Sequence, residues 1–81
     1  MNYLVTFHTH FDAIQYVRFL KKENILGTLK PVPRKISSSC GTCAFFTAAE
    51  KIDTPHFVME GCEEIFTVTD GSFELLYKNP D

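Results

Sequence analysis

An α+β fold of the ferredoxin-like α/β plait class is predicted by three observations. The elements run strand, helix, strand, strand, helix, strand, the βαββαβ order of that class. Pro31 and Pro33 stand two apart at the end of the second strand, so two donors are missing on one side and the strand must lie at a sheet edge. Asp70-Gly71 is a two-residue hairpin signal that adds one strand at the C-terminal end. An antiparallel sheet would then carry two helices on one face. Its other face would be left to solvent, to the C-terminal hairpin or to a second subunit. At 81 residues the chain has room for a single domain, 1–81.

Each element has a local cause. Tyr3-Leu4-Val5-Thr6-Phe7 is aromatic and β-branched, and its nearly continuous apolar character suits a central strand. Thr9 and Asp12 have the spacing of a capping box, which starts a helix from His10 to about Glu23. Ala13, Val17 and Leu20 form its apolar stripe, widened by Ile14 and Tyr16. Lys21 and Lys22 suit the negative end of the helix dipole, and Asn24 suits a left-handed cap. The second strand is expected over Gly27–Val32 and a short third strand over Ala44–Thr47. Thr54-Pro55 opens a second helix, with Phe57 and Val58 on its apolar side and Gly61 at its end. Glu64–Thr69 and Ser72–Tyr77 complete the sheet. Phe45, Phe46, Phe57, Phe66 and Phe73 are expected in the core or on the sheet faces.

Composition bounds the function. Net charge is −2, which offers no footprint for nucleic acid. No apolar run approaches the ~18 residues of a membrane span, and the first residues lack the pattern of a secretory leader. Three cysteines exclude a fully paired disulfide framework, so a cytoplasmic setting with reduced thiols is expected. Charge is uneven. Residues 1–49 hold six basic and two acidic side chains, whereas residues 50–81 hold two basic and eight acidic ones. The positive segment lies just upstream of Cys40.

The chemically distinctive stretch is Ser37-Ser38-Ser39-Cys40-Gly41-Thr42-Cys43. A Cys-x-x-Cys pair can act as a redox couple, donate two ligands to a soft metal, or carry a transferred sulfur atom on one thiol while the other assists release. All three require a thiolate, and a free thiol of pKa ≈ 8.5 is only slightly ionised at neutral pH. Arg34 and Lys35 can favour the anion, Gly41 can expose backbone amides, and Ser39 can donate a hydroxyl. Cys43, opening a strand, can equally be a small buried hydrophobe, and Cys62 beside Gly61 reads as structural. A thioredoxin-like site fits poorly, because the motif runs into a strand rather than a helix. A zinc site would have to combine Cys40, Cys43, Cys62 and His56, with no second Cys-x-x-Cys; no metal or cofactor is expected. His8 or His10 can approach Cys40 only if the loop before the third strand folds over the end of the first.

The segments Tyr3–Phe7, Thr9/Asp12-Ala13, Pro31-Val32-Pro33-Arg34 and Ile36-Ser37-Ser38-Ser39-Cys40-Gly41 together resemble a family of small bacterial domains described as selenium/sulfur carrier-like. The likeness spans about residues 3–68. It implies a carrier rather than an enzyme, holding sulfur or selenium on Cys40 as a persulfide or selenosulfide. It further implies donor and acceptor proteins as partners, while charge and hydropathy already speak against nucleic acid and membrane as partners. On this reading Cys43 would release the atom, and Arg34, Lys35, Ser39 and Gly41 would contact the anion. The interruption at Pro55 and the Asp70-Gly71 hairpin depart from the family pattern. Three rivals stand beside it: a thiol–disulfide redox protein, an interaction module whose uncovered aromatic face makes a homodimer, and a metal-binding protein.

Overall fold

Tyr3, Leu4, Val5, Thr6 and Phe7 are all buried, which requires cover on both sides of their strand. A computed structural model, describing residues 1–80, supplies it. These residues form β1 (Asn2–Phe7), central in a five-stranded antiparallel sheet of order β2-β3-β1-β4-β5. β2 spans Gly27–Pro31, β3 Thr42–Thr47, β4 Cys62–Thr69 and β5 Ser72–Lys78. The architecture is α+β, with one sheet and two helices, α1 (His10–Lys22) and α2 (Thr54–Phe57). Five strands in this order differ from the four-stranded order of a ferredoxin-like plait, since β5 folds back on β4. β2 lies at an edge, where its proline leaves no ladder donor unmet.

The start of α1 follows from its cap. The Thr9 hydroxyl accepts from the Asp12 amide at 3.1 Å and itself donates to the Asp12 carboxylate at 2.8 Å. At the other end Asn24 takes a positive φ of 62°, and its amide and that of Ile25 close on Lys21 and Leu20 carbonyls. The buried stripe of α1 is Ala13, Tyr16 and Leu20. Tyr16 rather than Val17 sits at its centre, because the phenol reaches across the core and donates to the Phe57 carbonyl at 2.9 Å.

Register explains the core. Tyr3 faces Phe46, while Val5 faces both Ala44 and Ile65. These side chains meet Ala13, Tyr16, Leu20 and Phe57 on the helix side of the sheet. Rings dominate. Tyr3 stacks on Phe46 (5.2 Å between centroids), Phe46 on Phe57 (5.9 Å), and Phe7 tilts against Tyr16 (5.2 Å). Each such pair adds roughly 0.5–1.5 kcal/mol beyond the area it removes from water.

α2 is a single turn and not the helix expected to reach Gly61. Its N-cap is Asp53, which makes no side-chain cap bond, and the backbone turns extended at Val58. Too few residues are fixed for the turn to stand alone. Tertiary bonds hold it instead: Tyr16 to Phe57, and the Tyr3 hydroxyl accepting from the Ile52 amide at 3.1 Å. β3 begins two residues earlier than expected, so Cys43 lies inside a strand.

The opposite face carries the row Phe45, Leu4, Phe66 and Leu75, read directly from the strand register. Lys30 Nζ sits 4.5 Å over the Phe45 ring, and Phe66 meets Phe73 edge-on at 6.4 Å. The β2–β3 loop crosses part of this face. Lys35 Nζ donates to the Gly71 carbonyl at 3.5 Å, and Lys35, Ile36 and Ser37 border a groove with Phe66 and Phe73.

Candidate functional site

The β2–β3 loop carries the cysteine motif, and short bonds pin it at its end nearest β3. The Val32 amide donates to the Gly41 carbonyl at 3.1 Å, closing the loop's neck. Gly41 has φ +74°, the left-handed region that glycine enters without steric penalty. An added Cβ there would meet nothing within 4 Å, so the turn is open to its surroundings. Thr42, the first residue of β3, shares a hydrogen bond of 3.2 Å with Nδ1 of His10 at the start of α1. The Ser38 hydroxyl donates to the Phe7 carbonyl at 3.4 Å. The loop thus does fold over the end of β1, and His10 comes beside the motif.

Of the three thiols, Cys40 alone is partly exposed. Its Sγ donates to the Thr42 carbonyl at 3.4 Å, and the residue packs against the buried core cluster. Cys43 is buried. Register places it on the opposite sheet face, level with Thr6 and Lys30, and its Sγ donates to the Pro31 carbonyl at 3.8 Å. Burial pushes the Cys43 thiol up; Lys30 pulls the other way, and Cys40 adds a smaller push upward. Cys62 is buried at the start of β4, and desolvation carries its thiol to about 11.

The remaining site residues scatter. Arg34 is exposed on the loop, and Lys35 reaches away from Cys40 to the β4–β5 turn. Ser39 turns to Glu63: its amide donates to the carboxylate at 3.0 Å and its hydroxyl at 2.5 Å, with the Ser38 hydroxyl at 3.4 Å. His8 Nδ1 lies 3.4 Å from the same carboxylate. Glu63 was not legible as a site residue, since nothing in an acidic pair at a strand start points to a loop far upstream. Among the described residues no group of three or more His, Cys, Asp or Glu side chains is placed to hold a metal ion. No described helix is long and apolar enough to cross a membrane.

Comparison with known proteins matches residues 2–60 to the family described as "Putative Se/S carrier protein-like". That is well over half of the chain, and it includes the whole Cys40 loop. The chain belongs to this Se/S carrier-like family. No curated protein and no solved structure matches it. Arg34, Lys35, Ser39, Cys40, Gly41 and Cys43 lie inside the family segment, whereas Cys62 and Glu63 lie beyond it.

Proposed function

We propose that the chain carries a sulfur or selenium atom on Cys40, handing it between protein partners where thiols stay reduced. The observation that carries this reading is the exposure of Cys40 alone among the three cysteines, in a loop inside the family-matched segment. The Cys40 thiolate attacks the terminal sulfur of a donor persulfide. A new S–S bond forms at Cys40, the donor's S–S bond breaks, and the donor cysteine leaves as a thiolate. An acceptor thiolate then takes the outer atom and returns Cys40 to its starting state. Alternatively Cys43 attacks the inner sulfur, which leaves a Cys40–Cys43 disulfide and frees hydrosulfide. Burial of Cys43 makes the external route the faster one. Arg34 and Lys35 supply positive charge for an acidic partner, and Gly41 leaves the approach free of side chain. The first four strands with α1 and α2 are read as a modified ferredoxin-like plait, extended by β5.

Incubation with a cysteine desulfurase and cysteine, followed by intact-mass measurement, tests the reading. The protein should gain the mass of one sulfur atom, released by a thiol reductant. Cys40→Ser should abolish the gain and Cys43→Ser should keep it. An adduct that persists in Cys40→Ser overturns the assignment.

A further inference from the structure

Glu63 breaks the ladder between β1 and β4. The pairing runs evenly from Asn2↔Val68 to Thr6↔Glu64 and then steps to Phe7↔Cys62. Glu63 is therefore the extra residue of a β-bulge, and a bulge turns a side chain out of the regular pleat. Its carbonyl is satisfied by the Asn79 amide at 2.8 Å. Its carboxylate gathers the Ser39 amide, the Ser39 hydroxyl, the Ser38 hydroxyl and His8 Nδ1. Ser38 and Ser39 are the two residues that lead into Cys40. The cluster borders an open cleft of about 380 Å³, whose other charged walls are Glu64 and Lys78.

We propose that Glu63 is the positioning residue of the Cys40 loop: its bulged carboxylate fixes Ser38 and Ser39 and so sets where Cys40 is presented to a partner. The functional half of this rests on the carrier reading; the mechanical half does not. Burial works against the Glu63 charge, but the Ser39 amide and hydroxyl, His8 and Ser38 outweigh it, and the carboxyl sits below its ordinary value of 4.5. The clasp is therefore closed at neutral pH. Other ties of the loop are Val32 to Gly41, Ile36 to Pro33, Ser38 to Phe7, Cys40 to Thr42, His10 to Thr42 and Lys35 to Gly71. At the two residues before Cys40, Glu63 accepts from the Ser39 amide, from the Ser39 hydroxyl and from the Ser38 hydroxyl, whose one proton it shares with the Phe7 carbonyl.

Glu63→Ala, Glu63→Gln and Ser39→Ala test the proposal with three readouts. Amide exchange at Ser39 and Cys40 should speed up about tenfold in Glu63→Ala while β1 amides stay protected. Alkylation of Cys40 by iodoacetamide should rise, whereas sulfur loading from a cysteine desulfurase should fall about tenfold, because a loose loop is poorly oriented for a protein donor. A merely structural carboxylate would move both rates in the same direction. Glu63→Gln keeps an oxygen acceptor and should recover most of the protection, and Ser39→Ala should lie between it and Glu63→Ala. Unchanged exchange at Ser39 in Glu63→Ala overturns the clasp. Unchanged loading with a freed loop overturns the positioning role. If β1 amides also exchange faster in Glu63→Ala, the same readings in Glu63→Gln and Ser39→Ala decide. If the wild-type chain takes up no sulfur, the carrier reading falls alone, and exchange and alkylation still judge the clasp.

Discussion

Burial separates three thiols of identical chemistry. Cys62 is 1% exposed, and desolvation lifts it to about 11; the Met59 backbone bond lowers it less, and Asp12 adds to the rise. Unfolded, the same thiol ionises near its ordinary 9.0. The stability contributed by neutral Cys62 is thus full below 9.0 and lost as pH rises to about 11. Urea midpoints of the wild-type protein should fall across that window, and those of Cys62→Ala should fall less. At neutral pH iodoacetamide should label Cys40 at least about tenfold faster than Cys43 or Cys62, read by peptide mass. Glycines sort in the same way. Gly41 and Gly61 both have positive φ, but a Cβ on Gly61 would collide with the Asp12 side chain, whereas one on Gly41 meets open space. Gly41→Ala should cost only the left-handed backbone penalty of about 1–2 kcal/mol, and Gly61→Ala clearly more, by urea titration.

At the scale of elements, much was legible because the deciding signals are local. Thr9 starts α1, Asn24 ends it, Pro31 marks an edge, and Asp70 and Gly71, with φ of 47° and 79°, turn the last hairpin as their types demand. α2 failed as a local inference. Thr54-Pro55 has the look of a helix start, yet nothing after Phe57 continues the turn, and phenol bonds from two other elements hold it. Tyr16→Phe should therefore destabilise the protein by about 1–3 kcal/mol, since the Phe57 carbonyl stays buried without its donor. A loss below a few tenths, measured by urea denaturation, would show that water replaces the phenol. The bulge at Glu63 was equally hidden. Two adjacent glutamates read as an ordinary polar strand start, and only the pairing partner reveals which of them is extra.

For the molecule as a whole, the cysteine motif was visible but its surroundings were not. Cys40, Gly41 and Cys43 stand out in any reading of residues 37–43, and the family match covers them. The burial of Cys43 within the sheet depends on β3 starting at Thr42, a boundary that composition leaves open. The matched segment also stops before β4, which pairs with the central strand along its whole length. A chain ending at residue 60 would leave one side of β1 unpaired and remove Ile65 from the core. Such a chain should show no cooperative thermal transition by circular dichroism, whereas one ending at residue 69 should retain one at lower temperature. A cooperative transition in the shorter chain would show that β4 is dispensable.

The phenol bonds have a practical corollary. The sequence contains three tyrosines and no tryptophan, so near-ultraviolet emission comes from tyrosine alone. Two of these rings are buried and tie the 48–61 connection to the core. Detachment of that connection should therefore be visible as a change in the protein's own light output, giving a label-free optical gauge of the segment whose helix is too short to hold itself.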